Sequence, residues 1–173
     1  SGIAVLRYDD RGFAQSTGSH ERATSADFAN DVRAAIAYLK TRMEIDQSRI
    51  GLVGHSEGGL IAPLVATDTQ VAFIVLLAAP GVSGIQILLK QTESITRSQG
   101  ADEASVQRAL KINQDIFELF NQIGDEDSFE TRLKEYLNGV ISPEVLPQGM
   151  NKEEFINVQV SQFRKPWLRY FLT

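Results

Sequence analysis

The segment that most restricts the fold of this 173-residue chain is the hexapeptide Gly-His-Ser-Glu-Gly-Gly at positions 54–59. An apolar stretch at residues 49–53 precedes it and predicts a strand, and residues 60–66 after it predict a helix. The pattern Gly-x-Ser-x-Gly between a strand and a helix is typical of a strained turn that lifts a serine hydroxyl off the carboxyl edge of a sheet. The residues two before and two after the serine must then be very small, and Gly54 and Gly58 meet that requirement.

The chemistry of this turn is expected from Ser56 and from the peptide N–H that follows it. The turn would expose the Ser56 hydroxyl and leave the backbone N–H of Glu57 at a helix N-terminus, where it could face a developing oxyanion. The Glu57 carboxylate, too close in sequence to orient a catalytic histidine, is expected to contact a neighbouring loop. We predict structural roles for His55, under the turn, and for Gly59, which lets the helix approach the sheet.

Strand and helix signals alternate around this turn through the first half of the chain. Apolar runs predict three strands, at residues 3–8, 49–53 and 71–77, the last apolar on both faces. Two helices are predicted between them, at residues 28–39 and 60–66. Ser25 or Asp27 could cap the first helix. This alternation predicts an α/β fold in which about three strands form the central part of a parallel sheet.

The second half of the chain contains only helix signals. Helices are predicted at residues 85–98, 106–123, 129–137 and 151–163. The last begins with Asn151 and Glu154 in capping-box spacing. We therefore divide the chain into an α/β core at residues 1–82 and an all-helical cap or lid at residues 83–173. Because the chain opens on a strand pattern and closes on an apolar, aromatic run, we expect a fragment of a longer protein.

Composition excludes several classes of function. The net charge of −5 provides no basic surplus for a nucleic-acid backbone, and the absence of cysteine removes thiol chemistry and thiolate metal sites. The two histidines, His20 and His55, have no ligand-like spacing, and no phosphate or dinucleotide loop is present, so neither a metal nor a cofactor is expected. No apolar run is long enough to span a bilayer. Both a cytoplasmic and an exported location remain open.

A second loop, at residues 9–19, follows the first predicted strand. In it Asp9 or Asp10 could pair with Arg11, while Gly12 would set a tight turn. We predict Asp10, Arg11 and Gly12 to be structural residues near the site.

Together the two loops resemble those of the α/β-hydrolase superfamily, most closely its esterase and serine-aminopeptidase-like branch. Residues 9–16 are similar to an Asp-x-Arg-Gly-x-Gly-x-Ser loop, with Ala14 in place of the second glycine, and residues 54–59 match Gly-His-Ser-x-Gly-Gly throughout. The resemblance implies a serine nucleophile, Ser56, followed in chain order by an acid and a histidine. It also implies that both partners lie outside this chain, because none of its strands follows the helical half.

Three functional hypotheses follow from these residues and the resemblance. The first is a serine hydrolase that cleaves a small-molecule ester, thioester, amide or peptide through an acyl-Ser56 intermediate. The second is a catalytically silent fragment, or a binding or cap module, which lacks the triad acid and histidine. The third is a non-hydrolytic enzyme of the same fold, such as an acyltransferase or lyase. If the chain is a fragment, its bare sheet edges predict that it either associates with itself or is only part of what folds in the cell.

Overall fold

The computed structural model describes residues 2–143 and 146–173. Contacts between them divide the chain into two compact units. The first extends to Gly81 and includes residues 169–171 and 173, and the second comprises Val82–Leu168 with Leu172.

The first unit contains a parallel two-stranded sheet and two helices. Its elements are α1 (Ser25–Lys40), β1 (Gly51–His55), α2 (Gly58–Ala66) and β2 (Phe73–Leu77). The strands pair in parallel from Gly51 with Phe73 to His55 with Leu77. Apolar residues from the first helix, the first strand region and the second helix form one buried cluster, made of Ala29, Ile36, Ile50 and Val65. This arrangement confirms the predicted α/β class with a parallel sheet.

The strand predicted at residues 3–8 is not present as a strand in the structure. This stretch has no regular secondary structure, and Ile3 and Val5 are each 78% exposed. A strand needs a hydrogen-bonded neighbour, and no described segment pairs with this one. The apolar pattern indicates an extended backbone, but it does not predict whether a second strand pairs with this segment.

The strand predicted at residues 71–77 is confirmed, but the burial of both its faces, which its apolar residues indicate, is not observed. It spans Phe73–Leu77, and all five side chains are exposed, between 36% and 53%. Among the described residues, β1 is the one strand that pairs with it.

The starts of both helices differ from the prediction. Thr24, rather than Ser25 or Asp27, caps α1, and Asp27 completes a capping box by accepting the backbone N–H of Thr24 at 2.9 Å. Helix α2 begins at Gly58, two residues before the predicted start at residue 60, and Pro63 lies in its second turn.

The second unit is all-helical in its described residues, as predicted. Its helices are α3 (Gly84–Ser98), α4 (Glu103–Gln122), α5 (Glu126–Val140) and α6 (Lys152–Gln162), while the residues of α7 (Pro166–Leu172) are divided between the two units. The predicted capping box of Asn151 and Glu154 is confirmed at the start of α6. Helix α5 continues to Val140, three residues beyond the predicted end at residue 137, and α7 was not predicted. The core packs around Phe129 and Leu133, which are 1% and 0% exposed.

Candidate functional site

A left-handed residue, Ser56, follows β1 directly and precedes the N-cap of α2. Ser56 has a φ of 52°, a backbone conformation that non-glycine residues rarely adopt and that costs about 1–2 kcal/mol. Glu57 follows in a right-handed helical conformation as the N-cap of α2. The side chain of Ser56 is exposed at this turn. The strand, the strained serine and the helix therefore follow one another in the order that the sequence predicts.

Backbone hydrogen bonds hold this turn on both sides of the serine. The N–H of Ser56 donates to the carbonyl of Leu77 at the end of β2, at 3.0 Å. The carbonyl of Ser56 accepts the N–H of Gly59 at 2.9 Å, within the first turn of α2. These bonds fix the serine relative to the sheet, which is how a strained φ persists in a folded protein.

The size restriction in this motif falls on Gly54 and Gly59 rather than on Gly58. A Cβ at Gly54 would overlap the carbonyl group of Gly58 and lie 2.8 Å from the nitrogen of Gly59. A Cβ at Gly59 would overlap the side chain of Ala79 and lie 2.7 Å from its Cα. A Cβ at Gly58 meets nothing within 4 Å. The predicted role of Gly59 therefore agrees with the close approach of α2 to the chain beyond β2, whereas the predicted size limit at Gly58 is not seen.

The Glu57 carboxylate forms a hydrogen bond with helix α1, a contact that the sequence analysis does not predict. Its Oε1 accepts the hydroxyl of Ser25 at 2.7 Å, and Ser25 is 0% exposed in the first turn of α1. No local pattern indicates this pair, because the two residues are 32 positions apart.

Arg11 pairs with α1 and not with Asp9 or Asp10. Its Nε and Nη2 donate to the two carboxylate oxygens of Asp31, each at 2.7 Å, and Nη2 also donates to the carbonyl of Asp27 at 2.7 Å. The hydrogen bonds to Asp31 are the main reason that the pKa of Arg11 is raised. Asp27 and Asp31 lie one helical turn apart on the same face, so one planar guanidinium reaches both.

Gly12 and Ala14 show why small residues recur in this loop. Gly12 has a φ of 78°, and a Cβ there would lie 2.7 Å from the backbone nitrogen of His20. Ala14 also has a positive φ, 45°, at the position where the resembling loops carry glycine. The loop therefore keeps the glycine-type backbone at residue 14 although the residue is alanine. The carbonyl of Asp10 accepts the N–H of Phe13 at 2.9 Å.

Among the described residues, neither His20 nor His55 forms a hydrogen bond with Ser56 of the kind that a general base would form. The His20 ring packs between the rings of Phe13 and Phe28, at centroid distances of 4.9 and 5.3 Å. His55 is the last residue of β1, immediately before the serine. Both line an open groove of about 370 Å³ within the first unit, together with Tyr8, Asp10 and Glu57. Burial, followed by the charges of Asp31 and Asp10, raises the pKa of Tyr8.

No metal-binding cluster and no membrane-spanning helix occur in the described part of the chain. Among residues 2–143 and 146–173, no three His, Asp or Glu side chains are placed to hold an ion. None of the helices formed by these residues is long and apolar enough to cross a bilayer.

Comparison with known proteins supplies a family and two curated relatives. Residues 1–122 match the family model described as serine aminopeptidase, S33. Esterase EstD of Thermotoga maritima is 27% identical over 105 residues, which cover 59% of this chain and 25% of the esterase. An uncharacterized 31.7 kDa protein in the traX-finO intergenic region of Escherichia coli is 36% identical over 76 residues, which cover 43% of this chain and 27% of that protein. The chain thus spans about a quarter of the length of either relative. No solved structure matches it.

Proposed function

The chain belongs to the serine aminopeptidase S33 family of α/β hydrolases, and from that membership we propose that Ser56 is the nucleophile of an enzyme that cleaves an ester, thioester or amide. The observation that carries the proposal is the left-handed Ser56, exposed between β1 and α2, with a φ of 52°. A strained backbone at a non-glycine residue persists only where the surrounding structure maintains it. Such residues cluster at functional sites.

In the proposed reaction, the Ser56 oxygen attacks the carbonyl carbon of the substrate and loses its proton to a general base. The backbone N–H of Glu57 would stabilise the oxyanion, since it lies at the N-terminus of α2, where the helix dipole favours negative charge. The alcohol, thiol or amine leaves with a proton from the base. Water then attacks the acyl-serine ester, which releases the acid and restores the hydroxyl.

We propose that the base and its orienting acid come from outside this chain. His20 is packed between two phenyl rings, and His55 is the strand residue directly preceding the nucleophile. Neither position suits a base that must approach the serine hydroxyl from across a cleft. The short share of the relatives' length that the chain covers supports the same view.

Labelling of the full-length natural protein with a fluorophosphonate tests the role of Ser56. The wild type should be labelled covalently, and Ser56→Ala should abolish the label. Ser161→Ala is the matched control, because Ser161 is also an exposed serine and donates to the carbonyl of Val158 in α6. Full labelling of Ser56→Ala would refute the assignment.

A second proposal concerns the chain by itself, which we expect to be catalytically silent. Its hydrolysis of p-nitrophenyl acetate should equal that of its own Ser56→Ala variant, because the base is missing. Turnover well above that variant would place a working base within these residues and contradict this proposal while leaving Ser56 as nucleophile.

We also propose that residues 83–173 form a cap region.

A further proposal is that the isolated chain associates with itself through its sheet. Val53 is 69% exposed and the five side chains of β2 are all exposed, which leaves apolar strand surface without cover. Light scattering of the isolated chain should detect oligomers. The double variant Val53→Lys, Leu76→Lys should be monomeric. A monodisperse monomer of 19.1 kDa would contradict the association.

A further inference from the structure

The hydrogen bond between Ser25 and Glu57 joins the starts of two helices. Ser25 lies in the first turn of α1 and Glu57 is the N-cap of α2, immediately after Ser56. The hydroxyl of Ser25 donates to Oε1 of Glu57 at 2.7 Å. A hydroxyl that donates to a carboxylate forms a charge-assisted bond, about twice as strong as a neutral one.

Neither side chain is used to cap its own helix. Thr24 caps α1 in a capping box with Asp27, so the start of that helix does not need the Ser25 hydroxyl. Glu57 makes no side-chain hydrogen bond to the start of α2. A buried hydroxyl costs free energy unless it is bonded. Ser25, at 0% exposure, forms its bond to a residue 32 positions away rather than to its own backbone.

From this arrangement we infer that Ser25 is a positioning residue, which holds Glu57 so that its backbone N–H faces the substrate oxyanion. The inference rests on the proposed role of Ser56 and of the Glu57 N–H. On the strand side, the bond from Ser56 N–H to the carbonyl of Leu77 fixes the turn. On the helix side, the Ser25–Glu57 bond anchors the next residue, so the strained serine is held from both directions.

The expected consequence is a loss of kcat with little change in KM. The oxyanion exists only after attack, so its donor stabilises the transition state more than the bound substrate. Complete removal of one oxyanion donor costs about 100- to 1,000-fold in kcat. A donor that remains but is less well held should cost about 10-fold, since the backbone N–H itself is retained.

The test uses the full-length natural protein with p-nitrophenyl acetate as substrate. Ser25→Ala and Glu57→Ala should each lower kcat about 10-fold, with KM within about twofold, and the double variant should be no worse than either single one. Affinity for a trifluoromethyl ketone, which forms a tetrahedral adduct, should fall in parallel with kcat. Glu57→Gln should recover part of the loss, because its amide oxygen still accepts from the Ser25 hydroxyl.

A matched control separates positioning from general stability. Arg33 of α1 pairs with Asp68, just beyond the other end of α2, through two hydrogen bonds of 2.9 Å. Asp68→Asn weakens this second link between the same helices and should leave kcat unchanged. If Ser25→Ala and Glu57→Ala both keep wild-type kcat, or Asp68→Asn lowers it equally, the positioning role is wrong.

The outcomes also separate this inference from the proposed function. If Ser56→Ala is still labelled by the fluorophosphonate, the nucleophile is misassigned and the inference falls with it. If Ser56→Ala loses the label while Ser25→Ala and Glu57→Ala remain fully active, only the positioning role is refuted. Should Ser25→Ala fail to fold, Glu57→Ala and its Gln counterpart decide the question from the other partner.

Discussion

Replacement of Gly54 by alanine should destabilise the turn severely, whereas the same replacement at Gly58 should be tolerated. Both glycines belong to the Gly-x-Ser-x-Gly pattern, and a rule based on the pattern alone treats them alike. In the structure Gly54 is buried against the backbone of residues 58 and 59, while the Cβ direction at Gly58 is open.

The size of the effect follows from what the added methyl group would meet. At Gly54 its three nearest atoms are all backbone atoms closer than 3.0 Å, so no side chain can rotate away to make room. Extra methyl groups in packed interiors commonly cost about 1–3 kcal/mol. Because here the β1–α2 turn itself must open, we expect about 3 kcal/mol. Gly58→Ala should change stability by less than about 1 kcal/mol, in the stabilising direction, since alanine favours the helix.

Urea unfolding of the two variants, followed by circular dichroism, measures this difference. With a urea dependence of about 1–3 kcal/mol per molar for proteins of modest size, a loss of 3 kcal/mol moves the midpoint by about 1–3 M. Fluorophosphonate labelling in the absence of urea provides a second measurement, because an opened turn would also misplace Ser56.

Two outcomes would refute this reasoning. One is a Gly54→Ala variant as stable as Gly58→Ala, which would mean that the turn adapts to a side chain at low cost. The other is a Gly58→Ala variant that loses as much stability as Gly54→Ala, which would mean that the pattern rule is right and the open space at residue 58 is not available.

Two further predictions concern other parts of the chain. Ala14→Gly should stabilise the protein by about 0.5–1 kcal/mol in urea unfolding, since relief of the left-handed backbone outweighs the greater entropy of glycine in the unfolded chain. Ala37→Gly within α1 is the control and should lose about 1 kcal/mol, so equal signs would contradict the argument. Tyr136 donates its hydroxyl to Asp115 at 2.7 Å, and burial, followed by this bond, raises its pKa above that of a free tyrosine. The stabilisation by this bond is therefore fully present below about pH 10 and is lost as the pH rises above it. Tyr136→Phe should lower the free energy of unfolding by about 1 kcal/mol at pH 7 and reduce the loss of stability at alkaline pH, as measured by denaturation at several pH values. An unchanged loss of stability at alkaline pH would exclude Tyr136 as its source.

Local patterns in the sequence were sufficient to locate the candidate nucleophile and most helices. The strand before Ser56, the helix after it and the glycines around it lie within about a dozen residues, and the backbone preferences of such a segment are set by its own side chains. The capping box at Asn151 and Glu154 is local in the same sense and was predicted correctly.

Long-range partners could not be predicted in this way. Arg11 has two carboxylates beside it in sequence, yet it binds Asp31, because helix α1 presents that carboxylate with the geometry that a guanidinium fork requires. The strand pattern at residues 3–8 likewise indicated an extended backbone but not whether a neighbour would pair with it.

The sequence by itself therefore determined the α/β class, the helical second half and the position of Ser56, because these depend on periodicity and on short-range sterics. Only the tertiary structure decided that Gly58, unlike Gly54 and Gly59, has room for a side chain, and that the Glu57 carboxylate is held by Ser25. Both depend on which backbone or hydroxyl lies beside the turn in space. Those neighbours come from the end of β2 and from the start of α1, and only the packing of strand and helices brings them to Ser56.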